Sequence, residues 1–122
     1  MLKIQYPVCC GIDVHKNFLI AAIATTDEKN ITTYKTQRFT TFTKDLRDLA
    51  QWLLDEKCVH VCMESTGKYW IPVYNVLESS CKVTLAHPQY VKAIRGKKTD
   101  KKDSIWIADL FKHDLVPGSF IP

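Results

Sequence analysis

Apolar residues occur first in short unbroken runs and later at helical spacing. VCCGIDV (residues 8–14) is a short apolar run of the kind that forms a buried strand. NFLIAAIATT (17–26) follows after a brief turn and predicts a second strand; DEKN (27–30) is a turn signal. ITTYKTQRFT (31–40) is rich in Thr, Tyr and Ile, which predicts a third strand at a sheet edge. Three strands on short connections form an antiparallel meander.

The period then changes. From Thr43 to Glu56, apolar residues fall at Leu46, Leu49, Ala50, Leu53 and Leu54, which predicts an amphipathic helix with Thr43 as its N-cap. CVHVCME (58–64) predicts a buried strand. KYWIPVYNVLESS (68–80) predicts a helix, with Pro72 in the first turn, where proline is tolerated. CKVTLA (81–86) predicts a strand. HPQYVKAIRG (87–96) opens on a proline and closes on a glycine, as a short helix does. KKDSIWIADLFKHD (101–114) predicts a last helix, with Pro117 beyond its end. The order β-β-β-α-β-α-β-α-α implies an α/β fold: a mixed five-stranded sheet with helices packed on it.

The chain of 122 residues suits one domain, and 46% hydrophobic content places it among globular sequences. No apolar run approaches the length of a membrane span, and no apolar stretch near the start follows a basic one, so neither a membrane segment nor a signal peptide is expected. The five cysteines, Cys9, Cys10, Cys58, Cys62 and Cys81, are odd in number and lie mostly in apolar runs. They read as reduced core residues of a cytoplasmic protein. Cys58, His60 and Cys62 alternate, so one strand would turn all three to one face, but zinc ligands more often come from turns at C-x2-C spacing.

The net charge of +4 is modest, but its placement is uneven: Lys92, Arg95, Lys97, Lys98, Lys101 and Lys102 hold six of the 17 basic residues. Such a run fits a polyanion partner as well as a solvated loop. Within it stand Asp100 and Asp103. Three apart at a helix start, they share a face with Ser104, Ile107, Leu110 and Phe111, so that face is expected to pack on the sheet. Asp13 and Glu64 each stand where a buried strand stops. In neighbouring parallel strands those ends lie about 4.8 Å apart, at the edge where open α/β sheets place their sites. Asp100 and Asp103 also suit a helix cap, and Asp13 also suits a turn. Gathered together, however, these acids would repel one another without a cation. An all-oxygen set suits Mg²⁺ or Mn²⁺, and two such ions about 3.5–4 Å apart support phosphoryl transfer. Lys68, with Tyr69 and Trp70 beside it, could add base stacking, although Trp70 reads more readily as core.

GIDVHK, MESTGKYW and KTDKKDSIWIADL, followed by FIP, resemble the N-terminal domain of the DEDD transposases of bacterial insertion sequences, which are guided by a bridge RNA. The blocks span essentially the whole chain in the family's order. The resemblance implies a ribonuclease H-like fold of the RuvC type. It assigns the acidic tetrad to Asp13, Glu64, Asp100 and Asp103, as catalytic residues and ligands of Mg²⁺ or Mn²⁺. Lys68, Arg95, Lys97, Lys98, Lys101 and Lys102 are the expected nucleic-acid contacts. The implied partners are DNA, a guide RNA and further copies of the full-length protein, with no membrane. Residues 1–116 would be the catalytic domain, and 117–122 the start of a connector to a C-terminal domain that supplies a serine nucleophile. Ser65 and Ser104 are not expected to replace that serine. His15 departs from the family, which often has a small polar residue there; it stands next to the site, where it could touch a metal or phosphate, but reads more readily as a solvated turn histidine.

An ATP-binding domain of the actin type would need a glycine-rich turn after Asp13, where this chain has VHKN. STGKY also fails as a phosphate loop, because Tyr69 follows Lys68. A stand-alone junction nuclease of the same fold and a non-catalytic nucleic-acid-binding module remain as alternatives.

Overall fold

A computed structural model of the chain describes residues 4–65, 67–86 and 103–113, with only the backbone of Asp103. Five strands form one sheet: β1 (Val8–Val14), β2 (Phe18–Thr26), β3 (Thr32–Thr40), β4 (His60–Ser65) and β5 (Lys82–Leu85). Their spatial order is β3-β2-β1-β4-β5. The first three pair antiparallel, as the meander predicts, while β4 joins β1 and β5 joins β4 in parallel. Helices α1 (Thr43–Asp55), α2 (Trp70–Leu77) and α3 (Asp103–Lys112) cover the sheet. The helix predicted over 87–96 and the connector expected at 117–122 lie outside the described residues.

Strand alternation sorts the core into two layers. Cys10, Ile12, Val14, Val61 and Met63 face α1 and α2, where Leu46, Leu49, Leu53, Val73 and Leu77 complete the larger cluster. Cys9 and Cys62 face the other way, onto Ile107, Ala108, Leu110 and Phe111 of α3. Both faces of β1 and β4 are therefore covered, which is why these strands read as continuous apolar runs. On β3 only Phe39 is buried, in keeping with its place at the sheet edge.

Two local expectations change. Thr43 is the first helical residue of α1 and not its cap. Phe42 holds the capping position in extended backbone with no side-chain bond. Asp45 in the first turn instead accepts bonds from the Thr40 backbone N–H at 3.1 Å and the Thr40 hydroxyl at 2.6 Å, tying the helix start back to β3. At the other end Lys57 adopts φ 57°, its N–H bonds the Leu54 carbonyl at 3.0 Å, and the Cys58 N–H bonds that of Leu53 at 2.8 Å. This 6→1 and 5→2 pair is a Schellman closure with lysine where glycine is usual. The closure takes up Cys58, so β4 begins only at His60. Cys58 turns into the α1 side of the core while Cys62 faces α3, and the three residues expected on one face are split.

The direction of α3 follows from its contacts. A Cβ built on Gly11 would lie 2.4 Å from the Ser104 carbonyl oxygen and 2.5 Å from the Ala108 nitrogen, so helix backbone sits directly on β1 there. Farther along, the Lys112 carbonyl accepts bonds from the N–H groups of Gln5 and Tyr6, just before β1 starts. Helix α3 thus runs antiparallel to β1. A polar clasp holds its far end: the Tyr34 hydroxyl donates to Asp109, and Lys112 Nζ lies 2.9 Å from Asp109 Oδ1 and 3.2 Å from Thr32 Oγ1. Among the described residues no helix is long and apolar enough to cross a membrane.

Candidate active site

Asp13 and Glu64 are direct register partners across the parallel β1–β4 pair. Partners in register share a face, and Cys9 and Cys62, at even spacing from them, fix that face as the one covered by α3. Because α3 runs antiparallel to β1, its N-terminal end, opening at Asp103, is directed to the carboxyl ends of β1 and β4, where the two acids stand. Ser104, Ile107, Leu110 and Phe111, the face predicted to continue from Asp103, are all buried. The fold therefore brings Asp13, Glu64 and the first residue of α3 to one end of the sheet. The positive end of the helix dipole faces the same way, which favours anionic groups there.

The Asp103 side chain and Asp100 lie outside the described residues, as do Arg95, Lys97, Lys98, Lys101 and Lys102. Lys68 is described: it is exposed in the turn that follows β4, four residues beyond Glu64. Tyr69 beside it is 40% exposed. Trp70 packs against the core and meets Tyr74 edge-on at 5.9 Å, which leaves it the packing role that its helical position predicts. Ser65 and Ser104 are both buried, and the Ser104 hydroxyl is closed off from solvent.

His15 is the residue whose place the sequence understates. Its Nε2 lies 2.9 Å from Asp13 Oδ2, and its ring stacks on Phe18 at 4.6 Å. The side chain is 43% exposed against 15% for Asp13, so one face of the pair is open to solvent. The signal was the i, i+2 spacing to Asp13 at a strand end, a pattern that turn histidines also show.

The donor chemistry at this end of the sheet fits a hard cation. Two carboxylates from adjacent strands share a face, and a third acid begins the helix aimed at them. Oxygen-only sets of this kind suit Mg²⁺ or Mn²⁺. Among the described residues no three His, Cys, Asp or Glu side chains converge on one point; the tetrad predicted from sequence also needs Asp100 and the Asp103 side chain. The thiols are chemically quiet. Burial pushes Cys9 and Cys58 up to about 12 and raises Cys10, Cys62 and Cys81 as well, so at neutral pH they are protonated core residues.

Comparisons with known proteins bear on the family and the fold. A family model described as "Transposase" matches residues 10–119. The chain belongs to the DEDD transposase family. Among curated proteins none matches it in sequence. The solved structure of Thermus thermophilus RuvC is similar in fold, with a TM-score of 0.60 at 13% identity, covering 92% of this chain and 99% of that one. T. thermophilus RuvC in complex with Holliday junction substrate gives 0.57 at 12% identity, with the same coverage. At such identity the likeness concerns the fold, which is ribonuclease H-like of the RuvC type. In this DEDD transposase domain, Asp13 and Glu64 are the members of the sequence-predicted tetrad whose side chains are described.

Proposed function

We propose that this chain is the catalytic domain of a transposase that cuts and exchanges DNA strands with the help of divalent metal. The observation that carries the reading is the register of Asp13 with Glu64 at the sheet end toward which α3 opens with Asp103. Asp13, Glu64, Asp100 and Asp103 would hold Mg²⁺ or Mn²⁺. A bound pair of such ions activates an attacking oxygen and stabilises a leaving one in phosphoryl transfer. The chain's own part is to fix its carboxylates on two rigid strands and one helix. His15 orients Asp13 through its 2.9 Å contact. Lys68, Arg95, Lys97, Lys98, Lys101 and Lys102 would neutralise the phosphates of the DNA that approaches this end.

The family match and the RuvC-type fold support this reading, and RuvC has been seen with a Holliday junction. We further propose that residues 1–116 form the catalytic unit and that 117–122 lead to a C-terminal domain bearing the serine nucleophile. A guide RNA would select the target, and the full-length protein would act as an oligomer in the bacterial cytoplasm.

Metal titration tests the proposal. Mg²⁺ or Mn²⁺ at 100 times its dissociation constant stabilises the fold by about 2.7 kcal/mol, seen as a rise in Tm. Asp100→Asn combined with Asp103→Asn removes that rise and keeps the fold. Absence of both binding heat and a Tm shift refutes the metal site. Nicking of a branched DNA by this chain alone, with Mg²⁺, would instead favour a stand-alone junction nuclease. Salt-sensitive DNA binding that ignores both Mg²⁺ and Asp13→Asn would favour a non-catalytic binding module.

A further inference from the structure

The register that aligns Asp13 with Glu64 continues across the other half of the sheet. Asp13 is paired with Ile20, and Ile20 with Arg38. Arg38 therefore stands on the carboxylate face and at the carboxylate end, two strand spacings or ~9.6 Å from Asp13. Its guanidinium lies 4.0 Å from the centroid of the Phe18 ring. That ring also meets His15, stacked at 4.6 Å with 22° between planes, and His15 in turn contacts Asp13. Arg38, Phe18 and His15 thus make a continuous shelf that ends at the acid. A surface depression of about 270 Å³, lined by Ile20, Thr36, Gln37 and Arg38, opens beside it. Arg38 is exposed, and among the described residues no carboxylate pairs with it.

We propose that Arg38, held over the Phe18 ring, binds a phosphodiester of a DNA strand that crosses the β2–β3 side of the sheet on its way to Asp13 and Glu64. This rests on the DNA reading above and adds a contact outside the basic run at residues 92–102. Three features favour it. Arg38 forms no ion pair with a described carboxylate, so the guanidinium is open to an anion. Two strand spacings, ~9.6 Å between backbones, is a short span along a nucleic-acid strand, so one strand reaches both places. The contact with Phe18 restrains the guanidinium in advance, which lowers the ordering cost of a phosphate contact. A cation here also offsets the repulsion that clustered carboxylates exert on an approaching phosphate chain.

The test is fluorescence anisotropy of a labelled four-way DNA junction with the whole chain, titrated across salt in EDTA. Arg38→Met keeps the aliphatic stem over Phe18 and removes the charge. It is expected to lower the slope of log K against log salt by about 0.9, one phosphate contact, with no change in Tm. Arg38→Lys is expected to keep the slope. Phe18→Leu keeps the charge but frees the guanidinium, and is expected to weaken binding several-fold at unchanged slope. Junction binding by the wild type with the same slope in Arg38→Met overturns the shelf and leaves the DNA reading standing. A wild-type chain that binds no junction at any salt overturns both.

Discussion

Gly11→Ala should detach the helix that opens at Asp103. The added Cβ meets two backbone atoms, Ser104 O at 2.4 Å and Ala108 N at 2.5 Å, with Ile107 Cβ at 3.0 Å. Backbone cannot rotate aside as a flexible side chain can, so α3 must withdraw by ~0.5–1 Å, a gap that forfeits a quarter to a half of each dispersion contact. The contacts at stake belong to Ile107, Leu110 and Phe111, which are 0%, 7% and 3% exposed. Each such side chain is worth about 1.5–3 kcal/mol when buried. Losing about a quarter of three of them costs roughly 1–2 kcal/mol, and residual overpacking adds on the order of 1 kcal/mol. Alanine returns about 0.5–1 kcal/mol by replacing glycine inside a strand. The net expectation is a loss of about 2 kcal/mol, or ~8 °C in Tm for a chain of this size. Urea unfolding followed by circular dichroism measures it, with the loss appearing in the midpoint. Gly67→Ala is the control: Gly67 has φ 62° with nothing within 4 Å, so it shows only the cost of backbone conformation, about 1–2 kcal/mol. A Gly11→Ala protein within 0.5 kcal/mol of the wild type, a margin typical of neutral surface changes, would refute the close approach of α3. If the proposed chemistry is right, the same ångström at the Asp103 end costs about 100-fold in cleavage rate.

Tyr34→Phe removes a hydroxyl that donates to Asp109 and receives from Lys112 at 3.3 Å. Hydrogen bonds to charged partners carry about 1.5–3 kcal/mol, so the unfolding free energy from urea titration should fall by an amount within that range; no change would show that the clasp on α3 is dispensable. Asp45 is held below its usual 3.8, first by the Thr40 hydroxyl and then by the Thr40 backbone N–H. A carboxyl lowered on folding stabilises fully above its unfolded value and loses that contribution as pH falls through the folded one. Stability measured from neutral pH down through 3.8 should therefore drop less steeply in Asp45→Asn than in the wild type, and parallel curves would contradict the Thr40 tie.

Much of the architecture was legible because burial leaves a period in the sequence. The apolar runs of β1 and β4 announced strands covered on both sides, and Leu46, Leu49 and Leu53 announced the buried face of α1. The face shared by Asp103, Ser104, Ile107, Leu110 and Phe111 announced that the last helix would press on the sheet, and the described residues of that face are buried. Local readings failed where a tertiary contact outweighed propensity. Thr43 looked like a cap, but Asp45 found Thr40 on β3, and Cys58 looked like strand until the closure of α1 claimed it.

Sequence alone determined that Asp13 and Glu64 each end an apolar strand, because both positions follow from local pattern. Only the tertiary structure decided that the two strands are neighbours, parallel and in register, since strand order depends on contacts between residues some fifty positions apart. It also decided which way α3 points, through the missing side chain at Gly11, and it drew His15, Phe18 and Arg38 into one line toward Asp13. Periodicity reports which side of an element is buried. It carries no information about what lies on the far side of that burial, because hydrophobic attraction is non-directional and partners are chosen only when the whole chain packs.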